Sequence, residues 1–401
     1  MSFFQVLTLF AVLISGLCSY QSQAESVINP DAIFNEQDLA FESQFHQMLD
    51  EAKVPGGAFA IVRDGQIVMA RGHGIRELGQ TSKIDSNTVF RIASVSKTFA
   101  AQLTALLVQE GKLHWDDGVS QFVPEFQLKG KGQAQRLQVQ HILGQSTGLV
   151  PNAYDNLLNA NQPLQKILPH FKNLEPLCSP GQCYSYQNVM FSLIDPVVEK
   201  ATKRDYGSLI KERIFVPLQM EQSSIGMIDY LASINHASPH VKRQKQWRTT
   251  KIQTGYYHVP PAAGINASVN DLGKWLIAQM GYQPDIIPPT LVEELTRKRV
   301  RTEKDLRRRE WRELLTDAHY GIGWRIYQIG GEEIYMHSGW VEGFVADIAY
   351  SRKHKTGLVV LLNAEAGVIS EITTSFWRVV LAEELALRKA KKTKSKTRKS
   401  Q

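Results

Sequence analysis

The sequence predicts an α+β fold: one antiparallel sheet assembled from the two ends of the chain, flanked by helices, with a mainly helical region inserted between them. Three observations carry this. Short apolar runs with turn punctuation occupy about residues 54–75 and 318–364. The stretch between, about 94–300, reads as helices and punctuated loops. An amphipathic run, Ile369 to Leu387, closes the ordered part. With 401 residues, 43% of them hydrophobic, the chain can bury one large core or two smaller ones.

Residues 1–24 hold no charged side chain, and Phe3 to Leu17 is almost wholly apolar before Ser22-Gln23-Ala24. A signal peptide is expected here, which places the mature protein in the periplasm or outside the cell. No Lys or Arg precedes the apolar run, so an uncleaved membrane anchor is the alternative. Leu17 is too large for lipoprotein processing at Cys18. From residue 25 to 387 one domain is expected. Glu36 to Ala52 has helical spacing, with Phe41, Phe45, Met48 and Ala52 on one face. Ala58–Val62 and Gln66–Ala70 flank Asp64-Gly65 and form a hairpin. Val95, Phe99, Leu103 and Leu106 recur at helical period, and Gly111 ends that helix. Leu137–Leu143, Val189–Lys203, Tyr206–Phe215 and Asn270–Met280 are further helices. Tyr320–Tyr327, Glu333–His337, Gly343–Ser351 and Gly357–Leu362 are strands.

Cys178 and Cys183 flank Ser179-Pro180-Gly181-Gln182, a tight turn. In an exported chain they are expected to form one short disulfide. Two free thiols or a metal pair are the alternatives, and no further Cys or His cluster favours metal. The net charge of +7 is a property of the tail: residues 388–401 carry eight Lys and Arg and no acid, so the rest sums to −1. That tail is expected to be disordered and solvated. Arg297 to Arg312 mixes both signs around one aromatic, Trp311, and reads as an exposed helix or loop. Neither basic stretch carries a nucleic-acid motif, so no nucleic-acid partner is expected.

Three spots carry chemistry. Ser94-Val95-Ser96-Lys97 opens a helix, and residues three apart share a face, so hydroxyl and amine can meet. A serine becomes a nucleophile when a base takes its proton, which a lysine can do only as the neutral amine. Tyr186-Gln187-Asn188 places a phenol and an amide on one side of an extended loop. His337-Ser338-Gly339 lies on a strand, with His337 and Gly339 on one face, and the glycine is expected to let a substrate backbone come close.

Together these resemble the serine β-lactamase and penicillin-binding protein superfamily, within it the class C branch with its peptidases and esterases. Val54-Pro55-Gly56, Phe215-Val216-Pro217-Leu218, Pro261-Ala262-Ala263-Gly264 and Tyr320-Gly321-Ile322-Gly323-Trp324 resemble its framework segments. The resemblance implies the β-lactamase/transpeptidase-like form of the predicted fold. It implies Ser94 as acylated nucleophile, Lys97 and Tyr186 as proton-transfer groups, and Asn188, His337, Ser338 and Gly339 as substrate-binding residues. The backbone N–H groups of Ser94 and Trp340 are then the oxyanion hole. A literal Lys355-Thr356-Gly357 reads instead as a hairpin turn.

Histidine stands where efficient class C lactamases carry lysine, and imidazole is largely uncharged at neutral pH. The expected activity is therefore hydrolysis of an amide or ester through an acyl-enzyme, peptidase- or esterase-like, without metal or organic cofactor. The substrate is a small molecule or peptide, and cell-wall peptides are one candidate. A class C-type β-lactamase is the second reading, and a penicillin- or cell-wall peptide-binding protein with negligible turnover the third. Membrane contact is expected only if the N-terminal segment stays uncleaved. The sequence leaves the oligomeric state open.

Overall fold

The computed structural model describes residues 35–399, with side chains as far as Ala390. The expected signal segment, residues 1–24, lies outside the described residues. Eight strands form one antiparallel sheet: β1 (Gly56–Arg63), β2 (Gln66–Gly74), β3 (Val300–Arg301), β4 (Leu315–Tyr320), β5 (Arg325–Ile329), β6 (Glu332–Val341), β7 (Phe344–Ser351) and β8 (Thr356–Leu362). Their spatial order is β2-β1-β8-β7-β6-β5-β4-β3. The two chain ends meet where β1 pairs with β8, from Gly57 opposite Leu362 to Arg63 opposite Thr356. The sheet built from both ends is thus present as the sequence predicts.

Both faces of this sheet are covered, which is why its central strands read as continuous apolar runs rather than alternating ones. Ala58, Ala60 and Val62 of β1 enter a core shared with α2 (Ser96–Gln109) and α3 (Val269–Gln279). Phe59 and Ile61 point the other way, toward α1 (Glu36–Glu51) and α4 (Val368–Val380). In α1 the buried apolar residues are Phe41, Phe45 and Leu49. Met48 and Ala52, expected on that face, are only partly buried. Burying each such large side chain contributes ~1.5–3 kcal/mol.

Two expectations change. A helix, α5, spans Ala382–Lys399 and carries the basic stretch expected to be disordered. Its Ala, Leu, Glu, Lys and Arg are good helix formers uninterrupted by Gly or Pro. Arg297 to Arg312 is less exposed than its charge suggests. Asp305 and Trp311 are buried, and Arg308 donates to the Tyr327 hydroxyl at 3.2 Å. Lys355 sits in the turn between β7 and β8, as its flanking residues imply.

Candidate active site

Ser94 lies in a 3₁₀ turn, Ala93–Val95, that leads into α2. Two features hold this turn. A small sheet pairs Phe90 with Ala267 and Arg91 with Asn266, and the Ile265 N–H donates to Ser96 Oγ at 3.0 Å. From the other side comes β6. Strand β5 pairs with β6 only as far as Met336, so His337 to Val341 present a free edge that packs on the Ser94 turn. A Cβ on Gly339 would stand 2.2 Å from the Ile92 carbonyl oxygen. The glycine was expected to admit a substrate backbone, but its immediate role is to let the strand touch the turn that carries Ser94.

Lys97 is fully buried one turn on from Ser94. Its Nζ is 3.2 Å from Ser94 Oγ, 2.7 Å from Asn188 Oδ1 and 3.0 Å from the Ala262 carbonyl oxygen. A neutral amine suits these three neighbours. Its two hydrogens serve the two carbonyl-type oxygens, and its lone pair remains for the serine hydroxyl. Burial pushes the ammonium form well below its usual range, Asp155 opposes this, and Arg325 adds to it.

The loop bearing Tyr186 and Asn188 is pinned twice. Cys178 and Cys183 form the expected disulfide. Gln145 Oε1 accepts the Gln187 N–H at 2.6 Å, while the Ser185 N–H donates to the Gln145 carbonyl at 2.7 Å. Gly148 has φ +81°, and a Cβ there would meet the Cys178 carbonyl oxygen at 2.2 Å. The Tyr186 hydroxyl is within hydrogen-bonding reach of Ser94, and its ring centroid is 4.7 Å from Lys97 Nζ. Burial pushes the phenol up to about 12, against the pull of Arg325 and of the Ser94 hydrogen bond. Cys178→Ser opens a short loop, so a loss of about 2 kcal/mol is expected. Thermal melts under oxidising conditions check this, and unchanged melting would remove the pinning role.

His337 is buried on the Ser94 side of β6, with Nε2 3.1 Å from the Tyr320 hydroxyl. Burial holds it well below its ordinary value, and Arg325 and Lys97 push the same way. Its expected lack of charge therefore has a structural cause. Ser338 requires a correction as a substrate-binding side chain. Strand alternation turns it to the opposite face, across from Asp347, whose Oδ2 accepts from Thr373 of α4. Trp340 is 55% exposed at the rim.

Two clefts open beside this group. One, of about 440 Å³, is lined by Trp340, Glu342, Glu365, Tyr256, Leu158 and Arg91 among others. The other, of about 550 Å³, is lined by Tyr184, Tyr186, Cys183, Arg301, Lys304 and Arg325 among others. A family model described as beta-lactamase matches residues 41–374. The chain belongs to the beta-lactamase family.

Relatives of this beta-lactamase-family chain include Protein flp of Staphylococcus aureus (strain MW2), 24% identical over 347 residues. They also include unguisins hydrolase ungD of Aspergillus violaceofuscus (strain CBS 115571), 26% identical over 359 residues. Each match covers 84% of this chain, but the chain spans only 65% and 63% of those two proteins. Among solved structures, the octameric penicillin-binding protein homologue from Pyrococcus abyssi superposes with a TM-score of 0.76 at 25% identity. That match covers 86% of this chain and 77% of the other. A D-stereospecific amidohydrolase from Streptomyces sp. shares the fold, with a TM-score of 0.67 at 20% identity, over 83% of this chain and 97% of the other.

Several residues of the site escape a motif reading. Asp155 Oδ2 accepts from Asn188 Nδ2 at 2.7 Å, extending the chain Lys97–Asn188–Asp155. Asn188, expected to bind substrate, thus engages the protein through its amide oxygen and one of its two amide hydrogens. Arg325 sits beside Tyr186, and Tyr320 beside His337. Tyr320 and Ala262 fall in framework segments quoted above, so their positions carried a signal. Arg325 directly follows one of those segments, and Asp155 has no local signal at all.

Proposed function

We propose that the protein is an exported serine hydrolase that cleaves an amide or ester through an acyl-enzyme on Ser94, peptidase- or esterase-like in substrate. The observation that supports this most is the placement of buried Lys97 Nζ, 3.2 Å from Ser94 Oγ and within hydrogen-bonding distance of two carbonyl-type oxygens, so that as the neutral amine it would keep its lone pair for the serine. Lys97 takes the Ser94 proton as Oγ bonds to the substrate carbonyl carbon. The oxyanion is held by the backbone N–H groups of Ser94 and Trp340. On collapse the carbon–nitrogen or carbon–oxygen bond breaks, and the proton passes from Lys97 through Tyr186 to the leaving group. Water then adds to the acyl carbon and gives its proton back along the same relay, and Ser94 leaves with its hydroxyl restored.

The buried, uncharged His337 favours the peptidase or esterase reading over a dedicated lactamase, because it offers no fixed cation for a β-lactam carboxylate. The hydrolase name carried by the Aspergillus relative and the amidohydrolase fold neighbour are in keeping with this chemistry. The test is an activated ester and a fluorescent penicillin, each offered to wild type and to Ser94→Ala. Ser94-dependent turnover of the ester with slow labelling by the penicillin is the expected pattern. No Ser94-dependent reaction with either would remove the hydrolase reading, and rapid nitrocefin turnover would replace it with the lactamase one.

A further inference from the structure

We propose that Arg325 is a positioning residue for acylation of Ser94: its guanidinium supplies from β5 the positive charge that uncharged His337 does not. Together with Asp155, it would then set the protonation of Lys97 and Tyr186. This rests on the hydrolase reading above. The geometry is specific. Arg325 is opposite Tyr320 on β4 and Met336 on β6, so it sits next to His337 in the sheet. Its Cζ is 5.4 Å from the Tyr186 ring centroid and 5.8 Å from that of Tyr320. Lys97 Nζ lies over the same Tyr186 ring at 4.7 Å.

The guanidinium is only partly neutralised. Nε donates to Asp305 Oδ2 at 3.2 Å, and Nη2 reaches the Tyr184 hydroxyl at a long 3.4 Å. Nη1 is shielded from solvent and has no hydrogen-bond partner. A buried arginine with one carboxylate contact costs more to desolvate than a methionine of similar volume, so a packing role alone does not account for it. Other charges face the same space. Asp305 and Arg308 come from the segment before β4, and Tyr327 from β5 itself. Asp155 approaches Lys97 from the opposite side, through Asn188.

The two charges act on Lys97 with opposite sign. Arg325 disfavours the ammonium and Asp155 favours it. Arg325 also makes the Tyr186 phenol more acidic and disfavours a charged His337. A base works only when deprotonated, so the acid limb of the rate profile follows its protonation midpoint. Removing Arg325 raises that midpoint, and removing the Asp155 charge lowers it.

The experiment is the pH dependence of activated-ester hydrolysis, kcat/KM, by the full chain and by Arg325→Met, Arg325→Lys and Asp155→Asn. At a separation of up to ~10 Å the expected upward shift of the acid limb in Arg325→Met is about one pH unit, about tenfold in rate below the limb. Arg325→Lys keeps the limb near wild type, and Asp155→Asn moves it down. A structural role would lower the rate equally at all pH, with lower melting and an unmoved limb, and that result overturns the proposal. Its failure is separable from that of the hydrolase reading. Wild type without Ser94-dependent reaction removes the reading, whereas a reactive wild type with an unmoved limb in Arg325→Met removes only this role. The NMR resonance of the Tyr186 Cζ carbon, identified by its loss in Tyr186→Phe, needs no turnover. It should begin to titrate at higher pH in Arg325→Met, and an unchanged curve overturns the proposal.

Discussion

Lys97→Met should lower the rate of Ser94 acylation by about 10³-fold, and Ser94→Ala should bring it to background. Methionine keeps the length and burial of the lysine side chain but cannot accept the serine proton. It also leaves Asn188 Oδ1 and the Ala262 carbonyl without the donor they now share. The loss should fall on the acylation step, because that is where the proton must move. Single-turnover labelling by a fluorophosphonate, compared with circular dichroism of the same variant, separates lost chemistry from lost structure. A folded Lys97→Met protein labelled within tenfold of wild type would rule out Lys97 as the base, and Tyr186 would inherit the role.

Gly339→Ala is expected to damage both stability and activity, for one steric reason. The added Cβ would stand 2.2 Å from the Ile92 carbonyl oxygen and 3.2 Å from the Ala93 Cβ, so backbone rather than a flexible side chain must move. Overpacking of this kind costs about 2 kcal/mol. The displaced groups are the turn carrying Ser94 and the strand carrying the Trp340 N–H. Ala93 already holds φ 49°, a left-handed conformation that a residue with a side chain adopts only when its surroundings impose it. The expected result is a lower melting temperature with acylation reduced by about 10²-fold, the scale of losing one oxyanion donor. Wild-type melting and labelling would show that the strand and turn are not coupled through this contact.

The motif residues were legible because their spacing is local. Ser94 and Lys97 are three positions apart, Tyr186 and Asn188 two, and His337 and Gly339 two. Such intervals translate directly into shared faces of a helix, loop or strand. Strand alternation, applied to His337 and Gly339, held in the structure. The same rule shows why Ser338 between them turns away, a consequence that the motif as a unit obscured. The exposed reading of Arg297–Arg312 holds only in part, because a mixed-charge composition does not say which of its residues find buried partners. Asp305 finds one in Arg325, and Trp311 packs edge-on to Tyr327 at 5.1 Å.

By itself the sequence determined the fold class, the pairing of the chain ends into one sheet and the identity of the serine, lysine, tyrosine and histidine to watch. Apolar periodicity encodes the first two, and the resemblance of the three motifs to a known family marks the four side chains. Only the tertiary structure decided what charge each group carries. Burial disfavours the charged forms of Lys97 and His337, and Asp155 and Arg325 reach Lys97 from 58 and 228 residues away in sequence. Protonation depends on desolvation and on charges within a few ångströms, and no spacing along the chain reports which distant residues those will be.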